Sequence, residues 1–147
     1  MDDVTPQNML SPRPLEPRKN AIIIGASSGI GEALARRLAR EGYALALLAR
    51  REKLLRRLCE EINSDGSHQA VYFIHDVLVT VDIPNLFQKA CAVLGGLDLF
   101  VYSAGIQYPN DANSFNGEND SHTFSVNLIG AATWLNMAAE RFQIAGA

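Results

Sequence analysis

The sequence predicts an α/β domain built on a doubly wound parallel sheet, and three observations predict it. Short solid apolar runs alternate with longer segments of helical period. The runs are apolar on both alternating faces, as strands covered by helices on two sides must be. Clusters of Gly, Asn, Asp and Ser separate the two kinds of segment. At 147 residues, 48% of them hydrophobic, the chain can enclose one core and is too short for two well-buried ones.

In chain order, residues 1–19 carry Pro6, Pro12, Pro14 and Pro17 among polar residues, and a stretch so poor in apolar surface is expected to be a mobile arm. The domain proper is read as 20–147. Strands are predicted at 21–24, 44–48, 70–74 and 97–102. A helix after the first strand places Ile30, Ala33, Leu34 and Leu38 on one apolar stripe, with Glu32, Arg36 and Arg40 elsewhere, and Gly42 stops it. A second runs from about Arg51 with Leu54, Leu55, Leu58 and Ile62 inward, ending in Asn63-Ser64-Asp65-Gly66. A third spans 82–94 with Ile83, Leu86, Phe87, Ala90 and Leu94 at helical spacing, and Gly95-Gly96 releases the chain into the fourth strand. A polar loop, 107–119, precedes a helix that carries Phe124, Leu128, Ala131, Leu135 and Phe142 as its apolar positions. Trp134 and Met137 are read as packing residues. The sheet is expected to be truncated after about four strands, because the sequence stops where a fifth would come.

Bulk properties exclude several function classes. A formal charge of -3 and scattered Lys and Arg offer no basic field for nucleic acid or anionic lipid. Cys59 and Cys91 fall in helical patterns without metal-binding spacing, so no metal site is expected and a reduced, cytoplasmic setting is the simplest fit. No stretch approaches the roughly twenty apolar residues of a membrane span.

The strongest local signal is Gly25-Ala26-Ser27-Ser28-Gly29-Ile30-Gly31, directly after an apolar strand and before an amphipathic helix. The unpaired amides of a helix's first turn, with the positive end of its dipole, favour a pyrophosphate there. Gly25 would permit the tight turn, Gly29 would let phosphates approach the backbone, and Gly31 would let helix and sheet pack closely. Ser27 and Ser28 add hydroxyl donors, and Ile30 is expected at the cofactor as well. The same residues also satisfy GxSxG, the nucleophile elbow of α/β-hydrolases. That rival needs earlier strands, and here only the Pro-rich arm precedes the turn. His68, His75 and His122 sit in no convincing catalytic setting.

Gly25-x-x-x-Gly29-x-Gly31 resembles the cofactor turn of the short-chain dehydrogenase/reductase family, and further landmarks follow in the family's order. Asp76-Val77 stands at the end of the third strand, where the family has an acidic residue near the adenine; a turn-capping carboxylate is the alternative for Asp76. Tyr102-Ser103-Ala104-Gly105 ends the fourth strand in place of Asn-Asn-Ala-Gly, so Ser103, Ala104 and Gly105 are expected at the cofactor. Asn127-Leu128-Ile129-Gly130 matches the helix motif whose asparagine belongs to the family's catalytic set, which makes Asn127 the catalytic candidate. What the resemblance implies is a Rossmann-like fold and hydride transfer between a nicotinamide dinucleotide and a small-molecule carbonyl or alcohol, in a full-length form that is a homo-oligomer. The family's catalytic Ser and Tyr-x-x-x-Lys are absent, since no Tyr here is followed four residues later by Lys. The 147-residue chain is therefore expected to supply the cofactor-binding half and to be inactive alone, a non-catalytic dinucleotide-binding module or inactive fragment being the alternative.

NADP is expected over NAD. The second strand ends in Leu48-Ala49-Arg50-Arg51, without the carboxylate that would accept from a ribose 2'-OH, and a guanidinium can bind a 2'-phosphate bidentately. Arg50 is the first candidate and Arg51 the second; the plain alternative is a solvated pair opening the second helix.

Overall fold

The computed structural model describes residues 19–66, 69–109 and 115–146. The expected mobile arm, apart from Lys19, lies outside those residues, as do His68 and part of the 107–119 loop. The elements run β1 (Asn20–Ile24), α1 (Gly29–Arg40), β2 (Ala44–Ala49), α2 (Glu52–Ile62), β3 (Ala70–Ile74), α3 (Ile83–Leu94), β4 (Leu99–Tyr102), α4 (Gly117–Phe124) and α5 (Ala131–Ala145). A 3-10 turn, Thr80–Asp82, leads into α3, and a π-helical turn, Ser125–Gly130, joins α4 to α5.

All three strand pairings are parallel, in the order β3-β2-β1-β4. Ile22 of β1 stands between Ala46 of β2 and Phe100 of β4. Apolar residues on both faces of β1 and β2 have helices to pack against: Ile23, Leu45 and Leu47 share a cluster with Ala35, Leu38, Leu55 and Leu58, whereas Ile22, Ala46 and Leu48 join Ile83, Phe87, Ala90 and Trp134. Strands β1 and β2 are buried almost throughout, as solid apolar runs require. Cys59 lies in the first of these clusters, and burial pushes its thiol up to about 12, with Glu60 adding in the same direction. On the outside Arg36 pairs with Glu32 one turn back and with Glu61 on α2, an exposed pair of bridges worth roughly 0–1 kcal/mol.

Three expectations need correction. On α1 the buried residues are Gly31, Ala35 and Leu38, while Ile30 is 80% exposed; small residues face the sheet because the helix lies close to it. In the last helical stretch the inward stripe is Val126, Gly130, Trp134 and Ala138, and Phe124, Leu128 and Leu135 point outward. Both stripes are apolar, and the one containing Gly and Ala allows closer approach. The fourth strand begins at Leu99 and not at residue 97, because Asp98 exchanges hydrogen bonds with Asn20, its Oδ2 accepting from the Asn20 N–H and its own N–H donating to the Asn20 carbonyl.

Candidate functional site

Strand β1 is the point at which the chain reverses its winding: β2 and β3 extend the sheet to one side and β4 is added on the other. In open α/β sheets a crevice forms at that point beyond the carboxyl ends of the strands. Here it is lined by Gly25, Ser27 and Ser28 after β1, Arg50 and Arg51 after β2, Asp76 and Val77 after β3, and Ser103, Ala104 and Gly105 after β4. Ten of the predicted contacts are thus brought to one place.

The glycines act by what a side chain would strike. Gly25 has φ +86°, and a Cβ there would lie 2.7 Å from the Ala104 Cα and 2.8 Å from the Ser103 carbonyl carbon. A Cβ on Gly31 would collide with the Gly25 carbonyl and the Ser103 hydroxyl. Gly29, φ +60°, faces open space, with nothing within 4 Å of the same construction. Two glycines therefore let β1, α1 and β4 close on one another, and the third leaves the backbone bare on an open side of the bend. Gly29, Ile30 and Gly31 are not among the residues that line the crevice, and Ile30 is exposed.

The β4 end is held without the family's asparagines. The Ser103 N–H and Oγ both donate to the Ile24 carbonyl at 2.8 Å. The Tyr102 hydroxyl donates to the Val126 carbonyl at 2.6 Å, and burial, with Asp76 adding, pushes its pKa up to about 12. Asn127 does not line the crevice; its Oδ1 accepts from the Ile106 N–H at 2.9 Å and its Nδ2 donates to the Ile106 carbonyl at 2.8 Å. The amide is thereby spent on fixing the chain just past Gly105.

Arg51 reaches back to the glycine bend. Its Nε and Nη2 donate to the Ser27 hydroxyl at 3.2 and 3.1 Å, and Nη2 also contacts the Ser28 hydroxyl. A guanidinium cannot take up a proton, so Ser27 has no base in this contact of the kind a hydrolase nucleophile needs. Asp76 caps its own turn, Oδ1 accepting from the Leu78 N–H at 3.0 Å, while still lining the crevice.

Sequence reasoning missed His75. It is 4% exposed, lines the crevice, and its Nε2 accepts from the Trp134 indole N–H at 3.3 Å, the rings meeting edge to face. Burial lowers its pKa, against the opposing pull of Asp76 and Asp82. A histidine closing an apolar strand, with one Trp in a later helix, was the available signal. Among the described residues no group of three or more His, Cys, Asp or Glu could hold a metal ion, and no helix is long and apolar enough to cross a membrane.

The family model described as short chain dehydrogenase matches residues 19–146. A diacetyl reductase ((S)-acetoin forming) of Staphylococcus epidermidis is 33% identical over 124 residues, which are 84% of this chain and 48% of that protein. An alcohol dehydrogenase from the archaeon Thermococcus sibiricus, solved with 5-hydroxy-NADP, superposes with a TM-score of 0.82 at 33% identity, over 89% of this chain and 56% of that one. An actinorhodin polyketide ketoreductase variant with NADPH gives 0.75 at 28% identity, covering 82% and 46%. The chain spans about half the length of these proteins. With the glycine bend, the parallel sheet and the crevice already in place, these matches make the chain a member of the short-chain dehydrogenase family.

Proposed function

We propose that the chain is the cofactor-holding part of an NADP-dependent oxidoreductase acting on a carbonyl or alcohol. The observation that carries the reading is the pairing, across one crevice, of the glycine bend at Gly25, Ser27 and Ser28 with two arginines and no carboxylate at the end of β2. The open backbone at Gly29 leaves room for a diphosphate to approach, and Gly25 and Gly31 support the bend by letting β1, α1 and β4 pack closely. Bound there, the dinucleotide supplies a hydride to a carbonyl or takes one from an alcohol.

Each residue's part follows from its position. The bend's amides and the α1 amino terminus take the diphosphate. Arg50 stands at the β2 end, and Arg51, already on the Ser27 and Ser28 hydroxyls, can turn the same donors to a 2'-phosphate. Asp76 and Val77 border the adenine side. Asn127 serves by placing the Ile106 segment, since both polar atoms of its amide are engaged there. The Ser and Tyr-x-x-x-Lys that the family uses for proton transfer are not among these 147 residues, so the chain is expected to bind without turning over. The relatives bound to NADP-type cofactors support the cofactor choice.

Titration of the folded chain with NADPH and NADH tests the reading. NADPH should bind about tenfold or more tightly, as a charge-assisted contact implies, and Arg50→Asp and Arg51→Ala should each erode that preference. Equal affinities in the unmutated chain would remove the NADP assignment, and oxidation of NADPH by a carbonyl substrate would remove the claim of inactivity.

A further inference from the structure

We propose that Tyr102 is a positioning residue for the crevice: its hydroxyl, crossing the room left by Gly130 to the Val126 carbonyl, holds the π turn in the register that presents Asn127 to Ile106. What that register serves rests on the dinucleotide reading above; the contact chain itself does not.

The turn Ser125–Gly130 is a single π-helical turn between two α-helices, a rare geometry that recurs at functional sites. A tyrosine of β4 meets this turn directly. The Tyr102 hydroxyl bonds the carbonyl of Val126, the residue before Asn127, at 2.6 Å, within the short range of a good O–H···O bond. Gly130 makes the approach possible, because a Cβ there would sit 2.8 Å from that hydroxyl and 3.2 Å from Val77. Strand β4 thus grips the turn at Val126, and one residue later Asn127 grips the segment that leaves β4, at Ile106. Strand, turn and departing segment close a ring of three contacts. The hydroxyl stays protonated, and hence a donor, throughout the working pH range because of its raised pKa. The family's asparagine is replaced by Tyr102 here, and the longer side chain reaches a backbone group directly.

Amide exchange and the Asn127 side-chain NH2 resonances, followed by NMR on the 147-residue chain, test this. In Tyr102→Phe, which removes only the oxygen, the Ile106 amide should exchange about tenfold faster and the Asn127 resonances should shift, while the Ser103 amide, bound to Ile24, keeps its protection. Gly130→Ala should act in the same direction by displacing the hydroxyl. Combined, the two changes should cost less than their sum, since without the oxygen the added methyl's nearest neighbours lie at 3.2 Å. Unchanged Ile106 exchange and Asn127 resonances in a folded Tyr102→Phe chain would overturn the proposal, as would strict additivity in the double variant. NADPH titration of the same samples keeps the two readings apart: failure of the unmutated chain to bind NADPH removes the dinucleotide reading and leaves the exchange result standing.

Discussion

Gly29 and Gly31 are two residues apart, yet a methyl group should affect them in opposite ways. At Gly31 it meets the Gly25 carbonyl and the Ser103 hydroxyl inside the folded chain, so Gly31→Ala should lose on the order of 1–3 kcal/mol of stability, as overpacked sites do. At Gly29 it meets nothing; only the left-handed backbone resists it, at about 1 kcal/mol. Its effect should appear instead on NADPH affinity, with a loss of about tenfold or more as the methyl enters the diphosphate's space. Denaturant unfolding and ligand titration of the two variants check the contrast. The packing roles of Gly25 and Gly31 were legible because strand, bend and helix are contiguous in sequence. The Arg51 contact with Ser27 was not, since those residues are 24 apart and meet only once β1 and β2 pair. Ile30 was misread for a related reason: its neighbours at helical spacing are apolar, and only the closeness of α1 to the sheet selects Gly31, Ala35 and Leu38 to face inward.

At the scale of elements, the stretch from Gly117 to Ala145 shows where periodicity stops deciding. The sequence predicts one helix here; the structure has two, joined by the π turn, and its two apolar stripes compete for the sheet. Only contact with β4 and Val77 settles the choice, because Gly130 and Ala138 fit where Leu128 and Leu135 would not. Its start falls at Gly117, inside the predicted 107–119 loop, because the Asn116 side chain accepts from the N–H groups of Glu118 and Asn119, as a helix cap does. The hold of α5 on the sheet includes the bond from Trp134 to His75, and a protonated imidazole cannot accept it. Burial holds the folded pKa of His75 below its unfolded one, against Asp76 and Asp82. The stability tied to its neutral form is fully present above the unfolded value, about 6.5, and is lost as pH falls from there through the folded value. Unfolding free energies measured from about pH 7.5 down to about pH 5 should decline, and His75→Gln, whose amide oxygen can still accept from Trp134, should flatten the decline. An equal slope in both chains would remove His75 as its source.

For the whole molecule, the alternation of apolar runs and helical segments was enough to predict parallel strands with helices on both faces. Strand order was not legible, since it depends on which helices cover which face, and β4 joining on the far side of β1 is what creates the crevice. The sequence motifs located most of the crevice's rim; its floor, with His75 and Val126, came from packing. Cys59 sits in the other half of this architecture, between α2 and the sheet, with its thiol held protonated by burial. A thiol so held is silent to alkylating reagents until α2 lifts away, so its labelling rate is a built-in clock for the detachment of that one helix. Peptide mass spectrometry after timed iodoacetamide exposure should find Cys91, only half-buried, modified first, and Cys59 modified at a rate that climbs with added denaturant; fast modification of Cys59 in native buffer would mean that the helix opens continually.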